Sequence, residues 1–367
     1  MDKRELTATH RKLLALLRRS GGLSRLSLAA ASGLTTAAVS MMTRDMLNLG
    51  ILEESDREQG RRGPPQINLR VVAGTGYVLG IYAEYDLICL LLMDYAGRCA
   101  AEKTLRGDFR CVSTVVETLC EAVAALMAQQ RIPREKMLAV NLALPARFDG
   151  GALPVWMAPG LIAWRGVDIA SRLSARLGCS VQVENDANCA AVGESNFGEA
   201  ERHDNFFYLY IGKGIGGALV LNGELYGGRH GNAGEIGALR PRPLSRPSFD
   251  DLQDCLRAAG VAIPPSPDDA RWENLTNMPA GGDWIARAAG ELFDLIHTVT
   301  ALLDPPCVYL GGTLPLPFMS RLKSALELVW PQHNSEASLI LPPLKISAIP
   351  AQNSAAFGAA ALALRQR

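Results

Sequence analysis

The chain has 367 residues, more than one simple core needs and enough for two or three domains. Its 48% hydrophobic content can fill large cores, and it holds no run of 18 or more uncharged apolar residues, so no membrane span is expected. The net charge is zero but unevenly placed: residues 1–70 hold 12 Lys/Arg against 7 Asp/Glu, and the remainder is acidic by the same five charges. A basic head on an acidic body points to a nucleic-acid partner for the head alone.

The opening MDKRELTATHRK lacks the apolar stretch of a secretion signal, so the expected location is cytoplasmic, with no membrane partner. Eight cysteines (Cys89, Cys99, Cys111, Cys120, Cys179, Cys189, Cys255 and Cys307) make no CxxC pair. They read as reduced thiols, neither a disulfide frame nor a metal cluster.

Three helices are expected in the head. The first, about Thr9–Arg19, carries Leu13, Leu14, Leu16 and Leu17 as its apolar stripe and ends at Gly21-Gly22. The second, about Arg25–Ala31, takes Ser24 as its cap and turns at Ser32-Gly33. The third, from Thr36 to Leu49, is capped by Thr35 and stopped by Gly50. Val39, Met42, Met46 and Leu49 share one face of it, which leaves Thr36, Ala37, Ser40 and Arg44 on the other. A short helix, a glycine turn and a longer helix with small polar residues early make a helix-turn-helix. Strands at Ile51–Ser55 and Gln66–Val71 around DREQGRRG form a wing, whose tip offers Arg57, Arg61 and Arg62 to phosphates or a narrow minor groove. A helical docking module with a solvated charge cluster is the plainer alternative.

The body alternates strands and helices. Strands are expected at Tyr77–Ala83, Leu87–Asp94, Met137–Leu144, Ser180–Glu184, Phe206–Ile211, Gly217–Leu221 and Cys307–Leu310. Helices are expected at Val112–Gln129, Val167–Leu177, Asp186–Gly198, Ala286–Leu303 and Ser354–Arg365. This mixture predicts a two-lobed α/β body with a cleft. Three stretches bear chemistry. In VENDANCAAVGE, Asp186 stands at the mouth of a helix, where it can take a proton from a sugar hydroxyl, and Asn185 can bond neighbouring hydroxyls. In YIGKGIGGALVLNGELYGGRHGNAGEIG, the glycine-rich hairpin lets backbone amides approach a phosphate, and Glu235 can accept sugar hydroxyls. VYLGGTL is a strand and turn that faces a nucleotide or caps a helix. Each also has an ordinary use, as a cap, a hairpin turn or a surface charge.

Together and in this order, these stretches, with LSRLSLAAASGLTTAAVS, the GRR wing, ALPARFDGG and MAPGLIAW, resemble the ROK family of repressors, open reading frames and sugar kinases, over nearly the whole chain. The resemblance implies an N-terminal winged helix-turn-helix on an actin-like or hexokinase-like (ribonuclease H-like) ATPase fold of class α/β. It divides the chain into a DNA-binding domain at 1–71, a first lobe at 72–183 with the helix of 350–367 packing back on it, and a second lobe at 184–349. It implies Asp186 at the position of the catalytic base, Asn185 and Glu235 at sugar-hydroxyl positions, and Gly212, Gly214, Gly216 and Gly217 in the second phosphate loop, with Lys213 where a small polar residue is usual. Thr36, Ala37, Ser40 and Arg44 correspond to base- or phosphate-facing positions of the recognition helix.

The departures from the family decide the expected function. Its kinases carry an acid, two glycines and a threonine in a first phosphate loop; here the acid is Tyr82 and the glycines are Glu84 and Tyr85. A carboxylate and a phenol ring in place of open backbone disfavour a triphosphate. The family's zinc-binding His is Ala238, its cysteine cluster is reduced to Cys255, and the Asn of its APN stretch is Gly160. Asp250 is a loose match to a second sugar-binding acid. The expectation is therefore a repressor, with no cofactor and no metal, that binds operator DNA and a sugar or sugar-derivative effector as a homodimer or homotetramer. Asp186 is then a vestigial base and the glycine hairpin a vestigial phosphate loop. An active sugar kinase with an accessory head is the main alternative; a repressor governed by a protein partner is the third.

Overall fold

The computed structural model describes residues 6–55, 67–148, 151, 153–199, 203–241, 244–333 and 339–366. The head contains α1 (Ala8–Ser20), β1 (Leu23–Ser24), α2 (Arg25–Ser32), α3 (Thr36–Asn48), β2 (Leu52–Ser55) and β3 (Asn68–Val71). Side chains expected as caps do cap: Ser24 accepts from the Ser27 amide and Thr35 from the Ala38 amide. Gly33 closes α2 at φ +72°, a backbone that costs glycine little, and the chain bends by 116° into α3. Leu13, Leu14, Leu17, Leu28, Val39 and Met46 meet in one buried core, which explains the period of leucines along α1. The three strands pair in the order β1-β3-β2 and form the wing.

The first body sheet comprises β4 (Tyr77–Ala83), β5 (Leu87–Asp94), β6 (Cys99–Arg106), β7 (Met137–Leu144) and β10 (Ser180–Asn185), in the order β10-β7-β4-β5-β6. Beside it lies a hairpin of β8 (Ala146–Phe148) and β9 (Pro154–Met157). Helices α4 (Val112–Gln129) and α5 (Ile169–Leu177) bury their apolar faces on one side of this sheet. Helix α4 is long and apolar enough to cross a bilayer, but Val115, Leu119, Val123 and Leu126 are spent on the core.

Helix α6 (Asp186–Phe197) then leads to the second sheet, made of β11 (Phe206–Ile211), β12 (Ile215–Leu221), β13 (Glu224–Leu225), β14 (Val308–Gly312) and β15 (Leu344–Ile346) in the order β13-β12-β11-β14-β15. On its outer side α7 (Phe249–Ala258), α8 (Arg271–Leu275), α9 (Pro279–Leu303) and α10 (Leu316–His333) enclose Trp272, Trp284 and Phe318. The terminal α11 (Ser354–Arg365) packs on α6, β4 and β7.

Small residues make that last arrangement possible. A Cβ on Gly80 of β4 would lie 2.0 Å from the Ala356 carbonyl oxygen, and one on Gly358 of α11 would lie 1.5 Å from the Cys189 carbonyl oxygen. Two alanine-rich helices thus sit backbone to backbone between the sheets.

Some elements differ from the sequence reading. Helix α9 begins at Pro279, seven residues before the expected Ala286, because Gly281 and Gly282 disguise its first turns. Gly281 is there for contact: its Cβ would sit 2.1 Å from the Leu275 carbonyl oxygen. Strand β12 begins at Ile215, two residues before Gly217, and α7, α10 and the β8–β9 hairpin were not foreseen.

Candidate functional site

Two surfaces hold the candidate residues. On α3, Thr36, Ala37, Ser40 and Arg44 are all exposed, as their place opposite Val39 and Met46 requires. Met41 is exposed as well, at 51%, a position the sequence reading does not single out. With Ala37, Ser40, Arg44 and Asn48 it forms an exposed stripe at helical spacing. Thr43 goes the other way: it is fully buried, donates to the Ser40 carbonyl and accepts from Arg25 Nε at 3.3 Å. Arg25 is held in turn by Glu54 at 3.0 Å, which ties α2 to the wing. Arg57, Arg61 and Arg62 lie outside the described residues.

The second surface is the cleft between the sheets. Asn185 is the last residue of β10 and the cap of α6; its Oδ1 accepts from the Asn188 amide at 3.0 Å and its Nδ2 donates to the Ala146 carbonyl at 2.9 Å. The side chain therefore works as a cap and holds the β8–β9 hairpin, with one amide hydrogen left over. Asp186 follows, buried to 8% exposure, with Oδ1 accepting from the Ala187 amide. Burial, then the charges of Glu84 and Glu235, push its carboxyl well above the usual range. The fold thus brings Asp186 and Glu235 together and adds Glu84 to them.

Glu235 is placed by a close backbone contact. A Cβ on Gly217 of β12 would meet the Gly234 carbonyl oxygen at 2.8 Å, and Gly234 takes φ +91°. Glycine at both positions lets the loop lie on the strand and present Glu235 to the cleft. Burial raises the Glu235 carboxyl, and Arg147 on β8 opposes that shift. Arg147 stacks 4.7 Å from the ring centre of Trp156 on β9, which is 38% exposed. An aromatic face beside an arginine and a carboxylate suits a sugar ring. Neither residue was singled out by sequence, since the hairpin that carries them was not foreseen.

The remaining glycines, Gly212, Gly214, Gly216 and Gly217, lie in the β11–β12 hairpin, opposite the β4–β5 turn. Side chains occupy the space between the two turns. Glu84 is buried and accepts from the Tyr82 hydroxyl at 3.1 Å. Burial pushes its carboxyl up to about 7, against the pull of Lys213. Lys213 forms an ion pair with Asp86 and lies 3.5 Å from the centre of the Tyr85 ring. Arg110 stacks on Tyr85 as well, at 4.8 Å. A Cβ on Gly160 would fall 2.0 Å from Tyr85 Cδ1, so the ring takes the room a side chain at 160 needs. Asp250, at the start of α7, belongs to this group and feels the charge of Lys213. Cys255 is on the same helix, with its thiol toward the Ala280 carbonyl at 3.8 Å.

Comparison with known proteins gives the family and the fold. Residues 79–366 match the model of the ROK family, and residues 6–53 match that of the winged helix-turn-helix DNA-binding family. The chain is 28% identical to the uncharacterized protein y4fQ of Sinorhizobium fredii, over 94% of this chain and 87% of that one. It is 26% identical to the xylose repressor of Bacillus subtilis, over 61% of this chain but only 58% of the repressor. The fold superposes on a crystal structure of a ROK family transcriptional regulator, a homologue of the E. coli MLC protein, with a TM-score of 0.75, 20% identity and coverage of 97% and 96%.

Proposed function

The chain belongs to the ROK family and carries a winged helix-turn-helix head, and on that premise we propose that it is a DNA-binding transcriptional repressor released by a sugar or sugar derivative. The head reads an operator through Thr36, Ala37, Ser40 and Arg44, with Arg57, Arg61 and Arg62 on phosphates. The body binds the effector through Asn185, Asp186 and Glu235, helped by Arg147 and Trp156. It acts in the cytoplasm as a homodimer or homotetramer, since a two-fold head reads a two-fold site.

One observation carries the reading that the body senses without transferring phosphate. Tyr82, Glu84, Tyr85 and Lys213 fill the space between the two turns that phosphate binding needs open. Above pH 7 the ionised Glu84 also opposes a polyphosphate there. The hydroxyl-binding set is kept while the phosphate side is filled, which suits sensing. The name of the xylose repressor, a relative over part of its length, lends support. Gel-shift titration of operator fragments against a panel of sugars tests the reading, with a coupled assay for ADP release beside it. Release of DNA by a sugar without ADP formation is the expected result. The second reading, an active kinase, is favoured by Asp186 at the mouth of α6; sugar-dependent ADP release that Asp186→Asn abolishes would establish it.

A further inference from the structure

A cavity of about 410 Å³ lies at the joint between head and body. Five arginines line it: Arg18 and Arg19 from the end of α1, Arg70 from β3, Arg98 from the β5–β6 turn and Arg365 from α11. Glu53 is the one carboxylate among the described lining residues. The cavity shares no residue with the Asp186 cleft, and α3 contributes nothing to its wall.

The positive charge here is poorly compensated. Arg18 crosses from head to body: its Nε donates to the Tyr95 carbonyl at 2.9 Å, its Nη1 to the Leu364 carbonyl at 3.4 Å, and its guanidinium stacks on the Tyr95 ring at 4.6 Å. Its Nη2 is buried without a hydrogen-bond partner. Arg365 reaches a carboxylate, Glu224, only at 3.5 Å, and that partner is 81% exposed. Burial holds both arginines below their ordinary range, and Arg19 repels Arg365 besides. Guanidinium groups do not shed their protons, so such a cluster is relieved by an anion. Their planar forks match phosphoryl oxygens in pairs.

We propose that this cavity is an effector site for a small phosphate-bearing anion, separate from the sugar cleft. Its size suits a small molecule, and the absence of α3 from its wall separates it from the face that reads DNA. Arg19 and Arg70 belong to the head, Arg98 and Arg365 to the body. An anion held between them pins the head in one orientation, and DNA affinity follows the population of that orientation.

Calorimetric titration of the full-length protein with inorganic pyrophosphate, in chloride buffer of matched ionic strength, tests this. Saturable binding of one anion per chain is expected, weakened at least tenfold in Arg19→Gln/Arg98→Gln. Both positions are exposed, so the fold should survive; Arg70→Gln/Arg98→Gln serves if it does not. A parallel titration with a hexose phosphate identifies the source. Tighter binding than pyrophosphate that the arginine variant loses marks a sugar-borne phosphate, and weaker binding marks a free one; both support the site. No saturable pyrophosphate binding, or binding that the variants leave unchanged, overturns it. So does loss of operator affinity in the variants when the parent protein binds no pyrophosphate, which assigns the arginines to the DNA backbone. The isotherm does not depend on the sugar-sensing reading, so the two can fail separately.

Discussion

Tyr85 and Gly160 act as one unit at the scale of single residues. The ring stands where a side chain at 160 would go, and two cations stack on it. Gly160→Asn alone should destabilise the fold by about 1–3 kcal/mol through overpacking. Adding Tyr85→Gly should recover part of that loss, and denaturant melts of the two single variants and the double variant measure the coupling. A coupling near zero would mean that the ring is free to move aside. Glu84 gives a pH prediction from the same region. Its carboxyl titrates near 4.5 when unfolded and at about 7 in the fold. Between those values the folded state holds the extra proton, so its contribution to stability falls as pH rises through the window. Glu84→Gln removes that penalty while keeping an acceptor for Tyr82. Its melting temperature should match the parent at pH 4.5 and exceed it by about 2–5 °C at pH 8. An equal shift at both pH values would show that the carboxyl is not held protonated.

The proposed function divides the work of DNA binding between α3 and the wing, and the division can be measured. The stripe of Ala37, Ser40, Met41 and Arg44 is exposed on α3, and the proposed function assigns it the base-edge contacts that discriminate sequence. Met41→Ala and Ser40→Ala should each shift base preference by about 1–3 kcal/mol at single operator positions, with an unchanged salt slope. Arg61 and Arg62, assigned to phosphates by the proposed function, predict the opposite pattern. Arg61→Ala with Arg62→Ala should weaken binding to all sequences alike and flatten the slope of log K against log salt by about 2. Binding measured at two salt concentrations on operator and scrambled DNA separates these outcomes. If Met41→Ala weakens both DNAs equally, the α3 stripe is not the reading face.

Across the whole molecule, the proposed function has effector and operator compete through one equilibrium between arrangements of the chain. A tenfold loss of DNA affinity on sugar binding requires a coupling of about 1.4 kcal/mol, and reciprocity demands that operator DNA weaken sugar binding by the same tenfold. Asp186→Ala should leave DNA binding intact and abolish the response to sugar. Calorimetry with and without a saturating operator duplex, on the parent and the variant, measures both sides of the cycle. Induction that survives Asp186→Ala would move the effector away from this cleft.

The head was legible in the sequence because its signals are local. Leucine spacing, the Ser24 and Thr35 caps and Gly33 each act within one helical turn, and α1, α2 and α3 lie within a residue of their expected ends. The candidate cleft residues were legible as motifs, since a strand end, a cap and a glycine hairpin are continuous in sequence. What those side chains do was decided by tertiary structure. Asn185 spends its oxygen on a cap, Glu84 meets Lys213 across 129 positions of chain, and Tyr85 fills the space of Gly160. Met41 faces solvent because α3 has a single buried side, and Arg147 reaches the charge of Glu235, stacked on Trp156, from a hairpin too short to show a period. The arginine cavity joins α1, β3, the β5–β6 turn and α11, which no local pattern connects. Hydrogen-bonded periodicity is written along the chain, whereas packing, charge pairing and burial depend on which distant segments the fold brings together.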